Sequence, residues 1–177
     1  MRPPWTMRNV LRIMHVQPDP RPIAFGTLFV VAQHLDRLGD LVLAPLGLTT
    51  KQWLLLAVVQ EGFAGGRPTL TQAAAAYGTS RQNVKAIARG LEAAGYLRIV
   101  PDPDDRRATR LAVTDRVQIF ATPEWHAREE AFFAFAFGDL DAADVARLAH
   151  LLQRWLAAVA ARPVPAPPLP EQEGTAR

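Results

Sequence analysis

One short stretch of the chain concentrates side chains that can hydrogen-bond to nucleic acid. Between glycines at positions 78 and 95, polar and cationic residues fall on one side of a helical wheel and apolar residues on the other. Arginine and lysine donate to guanine edges and phosphates, whereas asparagine and glutamine pair with adenine. A solvated polar face is the alternative for such a helix in isolation. The residues expected to contact DNA are Ser80, Arg81, Gln82, Asn83, Lys85 and Arg89.

A second group of cations lies in a turn rich in proline and aspartate. Arg106 and Arg107 end a segment that begins at Pro101, a composition typical of a hairpin tip. A loop arginine beside a DNA-docked helix can enter the minor groove, so both are expected to contact DNA. Asp102 and Asp105 are expected to hold the shape of this hairpin by pairing with an arginine. The alternative is a surface turn in which the aspartates only neutralise the arginines.

The cations of the chain are concentrated around these two groups. The 177 residues carry a formal charge of only +3, with 49% apolar and 21% charged residues, as in an ordinary folded protein. Residues 67–110 hold eight arginines and lysines against four acidic residues, a local excess of 8 − 4 = +4. A basic segment in a nearly neutral chain is typical of a nucleic-acid surface, although anionic lipid or an acidic partner would also fit.

Several other chemistries are excluded or disfavoured by composition. The absence of cysteine excludes disulfides, thiolate nucleophiles and thiol redox switches. The histidines are scattered, without a phosphate loop or a nucleophile at suitable spacing, and no cofactor or metal is expected. A small metal-dependent enzyme using His126 and Glu130 is an alternative, because they share a helix, but a solvated face is favoured. The N-terminus lacks a long apolar run, so a cytoplasmic location without membrane contact is expected.

Helix starts define the elements that must position these groups. A threonine followed three residues later by glutamine marks a capping box, in which hydroxyl and amide satisfy exposed backbone N–H groups reciprocally. The pattern predicts short helices over Thr50–Gln60, Leu70–Tyr77 and Ser80–Ala94, followed by a two-stranded hairpin. This order is typical of a winged helix-turn-helix, a mainly α fold with a small β wing. The three pairs are Thr49/Gln52, Thr69/Gln72 and Thr79/Gln82.

Long apolar helices are predicted on both sides of this module. Apolar residues recur at three- and four-residue steps over Pro22–Ala44, and a last helix begins after Asp141. The run Ala131–Phe137 is apolar all round, which favours a helix buried on more than one side. These phenylalanines serve either a subunit interface or the core of the single chain.

Three segments together resemble the MarR family of multiple antibiotic resistance regulators, over residues 22–160. They are Gly78–Val84, Leu91–Arg98 and Pro101–Arg107. In the last, the family's Asp-x-Arg-Asp-x-Arg wing pattern matches at Asp102, Asp105 and Arg107, with Asp104 in place of the first arginine.

The resemblance implies a homodimer that regulates transcription from a pseudo-palindromic operator, as a ligand-responsive repressor. A winged module used for protein–protein contact without DNA is the alternative. The implied regions are an N-terminal arm (1–21), a first dimerisation helix (22–48), the DNA-binding domain (49–115), C-terminal dimerisation helices (116–162) and a disordered proline-rich tail (163–177).

The resemblance also implies an interface and a ligand pocket. Many family members are released from DNA by small aromatic or phenolic ligands bound between the dimerisation helices and the winged module. The expected interface residues are Phe132, Phe133, Phe135, Leu152 and Trp155, and the expected pocket residues are Phe25, Phe29, His34 and Trp53.

Overall fold

The computed structural model describes residues 19–105 and 107–162. Most of the predicted arm, Arg106 and the predicted tail 163–177 therefore lie outside the described residues. The chain divides into two compact units, residues 1–136 and 137–177. The fold is mainly α with a two-stranded antiparallel wing, as the sequence predicted.

The first unit carries the winged module and the helices on either side of it. Its helices are α1 (Pro20–Leu43), α2 (Thr50–Glu61), α3 (Leu70–Tyr77), α4 (Arg81–Ala93) and α5 (Pro123–Ala136), and its strands are β1 (Leu97–Pro101) and β2 (Thr109–Val113). Short 3-10 segments occupy Ala44–Leu46 and Asp115–Ala121. The described part of the second unit contains α6 (Ala142–Ala160), which Asp141 caps as predicted.

Helix α1 begins two residues before its predicted start. The arm was expected to extend to residue 21, but Asp19 caps the helix and the prolines at positions 20 and 22 lie in its first turn. Proline is tolerated there because the first backbone N–H groups of a helix have no partner within it.

Two of the three predicted capping boxes are confirmed, and the third is wrong. The pairs Thr49/Gln52 and Thr69/Gln72 both form reciprocal hydrogen bonds at the starts of α2 and α3. At α4 the cap is Ser80, whose Oγ accepts from the backbone N–H of Asn83 at 3.2 Å. The left-handed Gly78 (φ 75°) ends α3, and the extended residue that precedes α4 is Ser80 rather than its neighbour. Gln82 is therefore left outside the cap.

The core lies between α2, α3, α4 and the wing. Its largest fully buried side chains include Leu55, Leu91, Tyr96 and Leu111. Each such side chain contributes on the order of 1.5–3 kcal/mol when removed from water. Trp125 of α5 joins this cluster at 7% exposure, so α5 is attached to the winged module.

Helix α1 meets the start of α2 at a glycine. A Cβ at Gly39 would collide with the Oγ1 of Thr50. That hydroxyl donates to the Asp36 carbonyl at 2.8 Å, and the Thr50 N–H donates to the Asp40 carboxylate at 2.6 Å. The close approach and the two hydrogen bonds fix the angle between α1 and α2.

Apolar side chains remain exposed on the outer helices of the single chain. Phe135 of α5 is 74% exposed, although its apolar surroundings in the sequence favoured burial. Phe25 and Phe29 of α1 are exposed, as are Leu156 and Val159 of α6. Within the described residues, no single helix is long and apolar enough to cross a bilayer. The segments Pro20–Leu46 and Thr50–Glu61 pass that test only as a pair bent by 80°.

Candidate nucleic-acid interface

Helix α4 has one buried side and one exposed polar side. Val84, Ala88 and Leu91 are fully buried against the core, which holds the helix in place. The opposite side exposes Ser80, Arg81, Gln82, Asn83, Lys85 and Arg89, the residues that the sequence singled out on this helix. A polar face supported in this way can enter a groove without rearrangement of the helix.

The cations of α4 have no internal counter-charge. Among the described residues, no acidic side chain forms a salt bridge with Arg81, Lys85 or Arg89. Glu92, the acidic residue of α4, instead accepts from the backbone N–H of Ile99 in β1 at 2.8 Å. The positive charge of this face therefore remains available to an external anion.

The N-terminus of α4 adds to this electropositive surface. Its first turn contains no acidic residue, so the positive end of the helix dipole is not neutralised. The Nδ2 of Asn83 donates to the Thr79 Oγ1 at 3.1 Å, which ties that side chain to the preceding turn. A helix end of this kind favours a phosphate.

The wing is held by the carboxylate of Asp102, which is 6% exposed. One oxygen accepts from the N–H groups of Asp104 at 2.9 Å and Asp105 at 3.3 Å, and the other accepts from the Arg110 Nε at 2.7 Å. The Asp104 hydrogen bond and the Arg110 guanidinium lower the pKa of Asp102 despite its burial. At the tip, Asp105 accepts from the backbone N–H of Arg107, whose side chain is exposed.

Arg110 also joins the wing to the loop before α3. Its Nη1 donates to the Arg67 carbonyl at 3.1 Å, and the next residue, Leu111, donates its N–H to the Pro68 carbonyl at 2.9 Å. Arg110 belongs to the basic segment 67–110, but its residue type and position predicted no structural role. The only signal was an arginine in a strand beside an aspartate-rich turn, which does not reveal a partner 43 residues away.

The four predicted pocket residues do not line one cavity, although Phe25 and Phe29 contact each other with ring centroids 4.8 Å apart. Trp53 lines two cavities in the first unit: one of about 310 Å³ between α2, the Asp115–Ala121 segment and α5, and one of about 80 Å³ between α1, α2 and α5. Phe25, Phe29 and His34 are exposed on α1 and line neither cavity.

The histidine and glutamate of the enzyme alternative lie one turn apart on α5, where both are exposed. His126 lines the larger cavity, whereas Glu130 lies outside its lining and is exposed. Among the described residues, no group of three histidine, aspartate or glutamate side chains could hold a metal ion.

Comparison with known proteins agrees with this geometry. Residues 46–108 match the MarR family profile. The transcriptional activatory protein BadR of Rhodopseudomonas palustris is 26% identical over 136 residues, which are 75% of each chain.

Solved structures have the same fold. A MarR variant from E. coli, solved in complex with operator DNA, has a TM-score of 0.62 and 21% identity and covers 80% of this chain and 99% of its own. BpsR of Bordetella bronchiseptica, whose DNA binding is regulated by 6-hydroxynicotinic acid, has a TM-score of 0.62 and 20% identity, with 75% and 98% covered. Profile and fold agree: residues 46–108 match the MarR family, and the chain has the winged helix-turn-helix fold of the MarR structures.

Proposed function

We propose that this chain binds a pseudo-palindromic operator as a homodimer, with α4 in the major groove and the wing tip against the neighbouring minor groove. The observation that carries the proposal is the set of exposed cations on α4 that no described acidic side chain pairs with, on a helix whose other side is fully buried. Gln82 and Lys85 read base edges, Arg81 and Arg89 contact edges or phosphates, and Ser80 and Asn83 lie at the phosphate-binding helix end. Arg106 and Arg107 contact the minor groove from the wing.

The homodimer is supported by the exposed apolar side chains of the outer helices. Phe133 and Phe135 of α5 and Leu152 and Trp155 of α6 are each at least 37% exposed in the single chain, and Phe132 is half-buried. Large apolar side chains exposed along a helix in this way are typical of protein–protein contacts. A twofold assembly would present two α4 helices to half-sites about 10 base pairs apart.

We further propose that a small aromatic effector releases the protein from its operator, so that it acts as a repressor. The support for this proposal is BpsR of Bordetella bronchiseptica, whose DNA binding is regulated by 6-hydroxynicotinic acid. The Rhodopseudomonas relative is named as an activator, so a reporter under the cognate operator, with and without the regulator gene, decides the sign of the regulation.

The proposal is tested by selecting bound duplexes from a random DNA pool with the purified protein, and then measuring affinity for the selected site. Gln82→Ala and Lys85→Ala should each change the preferred bases, because a good base contact supplies about 1–3 kcal/mol of discrimination. Arg106→Ala should lower affinity for all duplexes alike. Arg37→Ala, which removes an exposed cation from α1, is the matched control and should retain the wild-type preference.

Salt dependence separates this proposal from a winged module that binds only protein. Each phosphate neutralised should contribute a slope of about −0.9 to the logarithm of affinity against the logarithm of salt concentration. Absence of binding to any duplex at low salt would favour the protein–protein alternative. Unchanged affinity and base preference in both α4 variants would contradict the placement of α4 in the groove.

A further inference from the structure

The larger cavity of the first unit has the size and setting of a ligand site. Its volume of about 310 Å³ lies at the lower end of small-molecule pockets. It is lined by α2, the Asp115–Ala121 segment and α5. Helix α1 contributes nothing to its lining, in contrast to the apolar cavity of about 80 Å³ on the other side of Trp53 and Trp125.

The walls of this cavity combine aromatic rings with negative charge. Trp53, Phe120 and Trp125 supply the rings, and the last two pack edge to face with centroids 5.0 Å apart. Glu61 and Glu129 supply two carboxylates, and no arginine or lysine among residues 19–105 and 107–162 lines the cavity.

The arginines nearest in sequence to this lining are engaged elsewhere. Arg116 lies over the ring of Tyr96, with its guanidinium carbon 4.8 Å from the centroid. Arg128 donates to the carbonyl of Val42 at 3.4 Å. The charge of the cavity wall is therefore that of its carboxylates.

We infer that this cavity is a binding site for an aromatic amine in its protonated form, and that it discriminates against aromatic carboxylic acids. A protonated amine finds the carboxylates of Glu61 and Glu129 as partners, together with aromatic rings that attract a cation. An aromatic acid of the same size would place its carboxylate among like charges without a cationic partner, and a charge removed from water in this way is unfavourable.

The position of the site connects it with DNA binding, and this step rests on the proposed function. Helix α2 belongs to the winged module, and the Asp115–Ala121 segment follows β2 of the wing after a single residue, Thr114. A molecule seated between them contacts Leu56 of the core and the segment that leads from the wing to α5. It changes operator affinity to the extent that it binds the free and DNA-bound conformations differently.

The test compares an amine and an acid that share a ring and chain length. Phenethylamine and 3-phenylpropionate are titrated separately into the full-length protein by calorimetry without DNA, and tryptamine and indole-3-propionate form a second pair. Each amine should bind at least tenfold more tightly than its acid. Glu129→Gln and Glu61→Gln should each weaken amine binding by about tenfold, because each removes one carboxylate while keeping the side-chain shape. Glu130→Gln, one residue along α5 and outside the lining, is the matched control and should bind like the wild type.

Three results would overturn the inference: no amine binding at millimolar concentration, equal or tighter binding of the acids, or equal loss in Glu129→Gln and Glu130→Gln. Operator binding is measured on the same preparations without added amine. Loss of amine selectivity with intact operator binding would reject the site and leave the proposed function standing. Amine selectivity without operator binding would support the ligand site and reject the proposed function.

Discussion

The carboxylate of Asp102 is shared between the backbone of its own turn and an arginine of the following strand. Two N–H groups and the Arg110 guanidinium point at it, and its side chain is almost fully enclosed. These donors stabilise the charged form, and the Asp104 N–H contributes most to the lowered pKa. The shape of the wing therefore depends on the ionisation of one residue.

Acidification is expected to loosen the wing through Asp102. Because its pKa is lower in the folded protein, its contribution to stability is complete above the unfolded value of about 3.9 and is lost as the pH falls through the folded value. Amide hydrogen exchange at Asp104 and Asp105 should accelerate over that range in the wild type. Asp102→Asn should exchange faster than wild type at pH 7 and lack this pH step. Asp104→Asn, at an exposed position, should keep the wild-type profile, and an identical profile in Asp102→Asn would contradict the role.

Residue types predicted which kinds of interaction the site makes, but not which side chains pair with each other. The sequence placed an aspartate–arginine pair in the wing, but it did not identify Arg110, because three aspartates and three arginines lie within nine residues. Which of them meet depends on strand register, in which Pro101 faces Thr109 and Arg110 lies one residue further along β2. Asn83 was predicted only as a DNA contact, and its hydrogen bond to Thr79 depends on the cap of α4.

The residue at which α4 begins depends on which residue caps it. Two neighbouring hydroxyl residues follow Gly78, and each has an amide side chain three residues later, so the sequence pattern fits either as the cap. The structure selects Ser80, because its backbone is extended and its Oγ reaches the Asn83 N–H.

Replacement of the cap should destabilise the protein, and replacement of Gln82 should not. Ser80→Ala is expected to lower the free energy of unfolding by about 1 kcal/mol, since it leaves a backbone N–H of the first turn without its partner. Gln82→Ala, at an exposed position outside the cap, should change that free energy by less than about 0.5 kcal/mol. Urea denaturation followed by circular dichroism gives both values. A larger loss of unfolding free energy in Gln82→Ala than in Ser80→Ala would contradict Ser80 as the cap and favour the Thr79/Gln82 capping box.

Most elements were predictable because their signals are local. The capping boxes of α2 and α3, the left-handed glycines at 78 and 95 and the polar hairpin tip each depend on a few adjacent residues. Distant contacts were not predictable in this way. The junction of α1 with α2 at Gly39 and the packing of Trp125 into the winged core both join residues far apart in the chain.

At the scale of the whole molecule, the described single chain leaves apolar side chains of α1, α5 and α6 in solvent. The run Ala131–Phe137, predicted to be buried on more than one side, is therefore not buried within one subunit. The proposed homodimer would remove this surface from water.

A charge on this surface should dissociate the proposed dimer. Leu152→Glu is expected to raise the dimer dissociation constant by more than about tenfold, because a central apolar contact commonly supplies over 1.4 kcal/mol. Sedimentation equilibrium should give a dimer for the wild type and a monomer for the variant, together with weaker operator binding. Leu54→Glu, at an exposed leucine of α2, is the matched control and should remain dimeric. A wild-type monomer at micromolar concentration would contradict the homodimer.

The attachment of the wing to the loop before α3, through Arg110 and Leu111, has a consequence for the choice of operator. Because these hydrogen bonds tie the wing base to the loop before α3, the two parts proposed to contact DNA, α4 and the wing tip, are held at a fixed separation. The duplex, rather than the protein, must then adjust so that adjacent grooves meet both parts. Easily deformed pyrimidine–purine steps between the contacted positions should therefore be favoured, even where no side chain reaches a base.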